Sequence, residues 1–163
     1  MNLLNLLKHL NLILFFINSK KNKKIYHKDA KIEIIKKINN KKYKINYLKY
    51  KRFNKKSLFI ILKDKKNLIG SGWLYFGRDE WLISEINKII PIKSYYLLYD
   101  FVIIKKFRNM RYYSDFLKLI KKNFSNNNLC IYTTLNNYNS FRGIKSSGFL
   151  LKKIISKFFT LDL

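Results

Sequence analysis

Three places in the chain carry residue types that could do chemistry. Asp100 is the one charge in the long apolar run Tyr95 to Ile104. A carboxylate desolvated by such a run is suited to accepting a proton, so Asp100 is a candidate general base. Directly after that run, Phe107-Arg108-Asn109-Met110-Arg111-Tyr112-Tyr113-Ser114 joins a basic loop to the start of an amphipathic pattern. A helix beginning there offers unpaired N–H groups and positive potential to an anion such as a phosphate. The third place is Asn137-Tyr-Asn-Ser140, which leads to Gly148-Phe149 between two apolar runs. Asn and Ser at this spacing cap a helix start, and Gly stops one.

The elements that must position these groups follow from periodicity. Tyr113, Phe116, Leu117, Ile120 and Phe124 share one face of a helix over 112–124, with Asp115 near its start and Lys121 and Lys122 near its end, as the helix dipole favours. Leu129 to Leu135 reads as a strand, 139–147 as a short helix and 149–161 as a final strand. Upstream, Ser57 to Leu62 and Leu68 to Phe76 flank the polar turn Asp64-Lys65-Lys66-Asn67 and read as a hairpin. Trp81 to Ile90 reads as helical and is stopped by Pro91. Lys31 to Ile38 fits a strand or a short helix. The expected architecture is α/β, a mixed and mostly antiparallel central sheet flanked by helices.

The N-terminal stretch differs in character. Leu3, Leu6, Leu7, Leu10, Leu14 and Ile17 follow helical spacing, and Lys20, Lys21, Lys23 and Lys24 come next. Residues 1–24 are therefore expected to form an apolar helix with a basic flank, and 25–163 a single domain. Such a helix packs on the domain or on a partner, or lies on a membrane surface. It is short for a span and lacks a cleavage site of the secretory kind.

Composition sets bounds. The net charge is +26, but only five of the 35 basic residues are arginine, and Ala, Pro and Val occur once each. That bias makes lysine the default surface residue, so most of the charge reads as a solvated face. Nucleic acid remains a partner class, through the segment Lys41 to Lys56 with Tyr43, Tyr47, Tyr50 and Phe53 interleaved. Cys130 lies in an apolar run and reads as a buried, inert thiol, compatible with a cytoplasmic location. Two histidines, far from other ligand types, suggest no metal site.

The order hairpin, long strand, basic loop, amphipathic helix, strand, Asn-Ser helix, final strand resembles the GNAT superfamily of N-acyltransferases over about residues 31–161. The specific part is 99–149. Asn137, Ser140 and Gly148-Phe149 match the family's cofactor-side element. Arg108 matches the leading residue of its Arg/Gln-x-x-Gly-x-Gly/Ala loop, whose amides bind the coenzyme A pyrophosphate. Arg111 and Tyr113 stand where the family has Gly and Gly/Ala. Ile144 stands where many members have the tyrosine that protonates the departing thiolate; Tyr132 and Tyr138 are near it in sequence.

The resemblance implies acetyl-CoA as co-substrate. It would be held by residues 108–114, Asn137 and Ser140, with main-chain groups at Phe101, Val102 and Ile103 holding the acyl carbonyl and pantetheine. It implies a small-molecule amine as acceptor. Asp100, Glu80 and Glu85 are the candidate catalytic or amine-positioning carboxylates. The run Asn137-x-x-Ser140-x-Arg142-Gly143-Ile144-Lys145 is similar to GNAT proteins of surface-polysaccharide or nucleotide-sugar pathways, which implies a nucleotide sugar or sugar precursor as the amine. The other expectations are a GNAT-fold module that binds an anionic partner such as RNA or a membrane surface, and a homodimer.

Overall fold

The computed structural model describes residues 11–19, 23–35, 56–77 and 79–163. The described residues form ten strands: β1 (Ile13–Asn18), β2 (Ala30–Ile35), β3 (Ser57–Asp64), β4 (Asn67–Tyr75), β5 (Glu80–Ile83), β6 (Lys88–Pro91), β7 (Tyr96–Ile103), β8 (Leu129–Thr134), β9 (Phe149–Ile155) and β10 (Thr160–Asp162). The same residues include two α-helices, α1 (Tyr112–Asn123) and α2 (Tyr138–Ser146). Eight strands form one sheet in the order β10-β9-β1-β8-β7-β4-β3-β2, and β5 and β6 form a separate hairpin. The large sheet is antiparallel except between β7 and β8. This is the mixed, mostly antiparallel α/β architecture expected.

Alternation along each strand divides the core in two. Ile13, Phe15, Phe59, Ile61 and Trp73 face the β5–β6 hairpin, where Ile83, Ile86 and Ile90 meet them. Leu14, Phe16, Ile60, Leu62 and Leu74 face α1 and α2, where Phe116, Leu117, Ile120 and Ile144 meet them. The helices thus cover one face of the sheet and the hairpin the other.

Three local expectations are corrected. Within the described residues, the apolar N-terminal stretch is a strand: β1 pairs with β8 on one side and β9 on the other. Both of its faces are buried, so its residues are apolar without a gap, and a continuous apolar run does not distinguish strand from helix. Residues 13–18 therefore belong to the eight-stranded sheet. Residues 1–10 lie outside the described part.

Trp81 to Ile90 is the β5–β6 hairpin, not a helix. Trp81, Ile83 and Ile90 turn inward while Leu82 and Ile89 are exposed, which is period two, and Asn87 turns the chain at φ 49. The final strand divides at a turn where Ser156 Oγ accepts the N–H groups of Phe158 and Phe159. Lys31 to Ile38 resolves as strand β2 as far as Ile35. The segment Lys41 to Lys56 lies outside the described residues apart from Lys56. Among the described residues no helix is long and apolar enough to cross a membrane.

Candidate active site

The parallel ladder between β7 and β8 is three pairs long, Tyr96–Leu98 against Leu129–Ile131. Beyond it the two strands keep their outer neighbours: β7 stays with β4 as far as Ile103, and β8 stays with β1 as far as Thr134. The strands therefore splay and, among the described residues, leave the inner edge of β7 without a strand beside it.

The local cause is a bulge. Asp100 and Phe101 together oppose Gly72 of β4, between the pairs Tyr99–Trp73 and Val102–Ser71. Asp100 takes φ 51, a left-handed conformation rare for a non-glycine residue. A bulge bends its strand and increases its twist, and strained backbone of this kind is concentrated at functional sites.

The splay opens a cleft of about 260 Å³. Seven of the residues singled out in the sequence line it: Glu85, Asp100, Phe101, Tyr113, Tyr132, Asn137 and Ser140. Sequence reasoning did not single out the others. Tyr99, Thr133 and Thr134 add hydroxyls, and Leu98 and Ile131 form the apolar floor. Their signal was the bare β-strand alternation of β7 and β8, which carries no chemistry until the strands part. Glu85 arrives from the turn of the β5–β6 hairpin, where Ser84 Oγ donates to it at 3.2 Å. Tyr99 donates to Ser57 Oγ at 3.1 Å, and Tyr132 accepts from Trp81 Nε1 at 3.4 Å. Asp100 is half-buried rather than buried.

Other sequence candidates lie elsewhere. Glu80 begins β5, is exposed and does not line the cleft. Val102 and Ile103 continue β7 beyond the bulge, with Val102 exposed. Tyr138 is 63% exposed, and Ile144 is wholly buried in the core.

The loop before α1 is turned by left-handed backbone. A 3-10 turn over Lys105–Phe107 leads to Arg108, whose Nε donates to Ile103 O at 3.0 Å. Asn109 and Arg111 both take left-handed conformations, φ 64 and φ 63. Arg111 is the N-cap of α1, and no side chain caps that end. Left-handed backbone at this position explains why glycine would suit it. The first-turn amides at Tyr112, Tyr113 and Ser114 are the donors a helix N-terminus offers. Ser114 turns inward and donates its hydroxyl to Arg111 O at 3.1 Å. Met110 is exposed.

The neighbouring tyrosines diverge. Tyr112 donates to Asp64 Oδ2 at 2.6 Å and stacks on His27, ring centroids 3.8 Å apart. The Asp64 hydrogen bond, with burial, pushes its hydroxyl up to about 12. Tyr113 enters the cleft wall. Its ring lies beside Phe101, centroids 6.1 Å apart, and against Gly143 of α2. Burial raises its pKa, so the hydroxyl stays protonated, and it is hydrogen-bonded with Ser140.

α2 begins with a side-chain cap. Asn137 Oδ1 accepts the Ser140 N–H at 3.2 Å, so the oxygen end of that carboxamide serves the helix cap. Gly148 ends the helical stretch at φ 87. Behind α1, Asp115 is wholly buried. It accepts the Tyr26 and His27 N–H groups and the His27 ring at 2.8–2.9 Å, and Lys118 Nζ at 2.8 Å. This network ties the segment before β2 to the first turn of α1.

An eight-stranded sheet whose parallel pair splays beside two helix N-termini is the GNAT fold. No family model matches the chain, and no curated protein matches it. Among solved structures it is similar to a crystal structure named "Putative Acetyltransferase from the GNAT family", from Novosphingobium aromaticivorans. The TM-score is 0.55 at 8% identity, over 89% of this chain and 61% of that one. At that identity the likeness is one of fold.

Proposed function

We propose that the protein is an acyl-CoA-dependent N-acyltransferase, using acetyl-CoA to modify a small-molecule amine. The observation that carries this reading is the splayed cleft, which gathers Asp100, Glu85, Tyr113, Asn137 and Ser140 from four separate elements. The residues present fit coenzyme A. The uncapped start of α1, with Arg108 and Arg111 beside it, suits a diphosphate, and the narrow cleft suits an extended arm.

Bound acetyl-CoA would supply an activated thioester carbonyl. The chain's own groups would do the rest. Asp100, directly or through a water, takes a proton from the ammonium form of the acceptor and releases the neutral amine. Main-chain N–H groups on the open edge of β7, around Phe101 to Ile103, hold the carbonyl oxygen as it gains charge. The C–N bond forms and the C–S bond breaks. The hydroxyls of Tyr113 and Tyr132 stand where Ile144 cannot serve, and one of them protonates the departing thiolate. The balance is ammonium plus thioester giving amide, thiol and one proton. The acceptor expected from the sequence resemblance is an amine in a nucleotide-sugar pathway.

Thermal-shift titration with acetyl-CoA tests the reading. A ligand at 100 times its dissociation constant adds about 2.7 kcal/mol to stability and raises the melting temperature. Absence of any shift at roughly millimolar acetyl-CoA would sink the proposal. Asp100→Asn is expected to lower kcat by about 10²–10⁴-fold while leaving the acetyl-CoA shift in place.

A further inference from the structure

Apolar side chains reach solvent together at the β10 end of the sheet. β9 and β10 are antiparallel and joined by a turn over residues 156–159. Ser156 Oγ accepts the N–H groups of Phe158 and Phe159 at 3.1 and 3.0 Å. Lys88 Nζ, from the first residue of β6, donates to Ser156 O at 3.0 Å, Phe159 O at 3.3 Å and Thr160 Oγ1 at 3.1 Å. The turn is fixed from within and braced from the β5–β6 hairpin, and what it holds outward is aromatic. Phe158 is 79% exposed and Phe159 43%. On the bracing hairpin the cross-strand pair Leu82–Ile89 is exposed as well, and Ile89 follows Lys88 directly. A single exposed apolar residue is ordinary, but two adjacent rings on a turn beside an aliphatic pair mark an interaction surface. The surroundings are basic. Lys157 is exposed beside Phe158, and Lys152 and Lys153 lie on β9, the latter paired with Asp162 at 2.9 Å. Residues 149–163 thus carry three lysines against one aspartate. On the hairpin, Glu80 stands at the end away from Lys88, and Glu85 lines the cleft.

We propose that this corner of the fold rests on an anionic phospholipid surface. Phe158 and Phe159 enter the boundary between headgroups and acyl chains, Lys157 meets the lipid phosphates, and Lys88 and Lys152 add positive potential. The proposal stands apart from the acyl-transfer reading. It also moves the lipid contact along the chain. The sequence placed a membrane-surface helix in residues 1–24, but Ile13 to Phe16 are buried in strand β1. Charge complementarity selects the occupant. A second copy of the chain docked through the same corner would bring lysines against lysines, whereas an anionic bilayer meets them with phosphate. The aliphatic pair argues in the same direction. A single-stranded nucleic acid would use aromatic rings for stacking, and Leu82 and Ile89 have no ring to offer, while a hydrocarbon layer accepts both kinds of side chain.

The test is flotation of the full chain with vesicles of phosphatidylcholine alone and of phosphatidylcholine mixed with phosphatidylserine. It is run at about 0.1 M salt, where exposed charges more than about 10 Å apart are largely screened. The chain is expected to float with the mixed vesicles and far less with the neutral ones. Phe158→Ser keeps every charge and should lower partition onto the mixed vesicles by about tenfold, since inserting one ring is worth at least that. Because Phe158 is exposed, its melting temperature should match that of the unchanged chain, so the loss does not report unfolding. Leu68→Ser, an exposed apolar loss on β4, should float as the unchanged chain does. In Phe158→Trp the added indole should shift its emission to the blue on mixed vesicles and be quenched by brominated acyl chains. Equal flotation of Phe158→Ser and the unchanged chain overturns the proposal, because bulk charge then explains adsorption. So does equal flotation on both vesicle types, or none on either. If Phe158→Ser floats unchanged but loses a dimer in sedimentation, or loses binding to a single-stranded oligonucleotide, the corner docks that partner and the proposal falls.

Discussion

The packing of Tyr113 against Gly143 makes the cleft wall depend on a missing side chain, and Gly143→Ala tests it. Gly143 lies within α2, where alanine is favoured over glycine by about 0.5–1 kcal/mol for reasons of backbone entropy alone. Opposing this, an alanine Cβ would meet the Tyr113 ring, with Cε1 at 2.8 Å and Cδ1 closer still. Overpacking of that kind costs about 1–3 kcal/mol. The net expectation is a loss of about 0–2 kcal/mol, where an unobstructed helical site would gain. In a Tyr113→Ala background the obstruction is gone, and the same Gly143→Ala change should gain about 0.5–1 kcal/mol.

The double-mutant cycle should therefore show a coupling of about 1–3 kcal/mol, measured by urea denaturation of the four proteins. Because the displaced ring is a wall of the cleft, Gly143→Ala should also weaken acetyl-CoA binding through loss of a preformed surface. If Gly143→Ala stabilises equally in both backgrounds, Tyr113 does not pack against α2, and the cleft drawn here is wrong at that wall.

Arg111→Gly should stabilise the fold by about 1 kcal/mol, because Arg111 holds a left-handed conformation that costs glycine nothing, and it should weaken acetyl-CoA binding by removing a cation. A variant that is less stable, or binds equally well, contradicts the assignment of this loop. Phe16→Ala should cost about 3–5 kcal/mol in chemical denaturation, since the ring of this β1 residue is almost fully buried; a peripheral N-terminal helix would lose far less.

Asp115 gives a pH dependence of known sign. Its burial favours the neutral acid, but Lys118 and the His27 main chain and ring outweigh it and hold the carboxyl below its ordinary value. A depressed carboxyl stabilises above its unfolded pKa of about 3.9, and that contribution is lost as pH falls through the folded value. Asp115→Asn should flatten the acid limb of the stability profile below about pH 4. It should also cost about 3–5 kcal/mol at neutral pH by leaving Lys118 buried without its charge partner. An unchanged acid limb would show that other carboxylates govern acid unfolding.

Local signals were enough for the two helices and the β3–β4 hairpin. α1 declares itself through the spacing of Phe116, Leu117 and Ile120, and α2 through Asn137 at its start and Gly148 after its end. The turn at Lys65-Lys66 separates two apolar runs of matching length, so the β3–β4 hairpin is legible too. These features rest on interactions within a few residues, which the order of side chains specifies directly. β1 and the β5–β6 hairpin were misread for the complementary reason. Ile13 to Ile17 is apolar throughout because both faces of β1 are covered by distant segments, and nothing within the run distinguishes that from a buried helix.

The chemistry divides along the same line. The types and spacing of Arg108, Arg111, Asn137 and Ser140 marked a helix start flanked by cations and a second helix with a side-chain cap, because helix termini and caps are local. The separation of Glu85 from Glu80 was not local. It depends on a hairpin turn that carries one into the cleft and leaves the other at the exposed start of β5. Nor could the sequence reveal that Tyr113 faces α2 while Tyr112 turns to Asp64, or that the strands part after Leu98. Order along the chain determined which elements form and what chemistry they carry. The tertiary structure alone decided which of those groups share one cleft, because strand pairing and a bulge at Asp100 bring together residues that are remote in the chain.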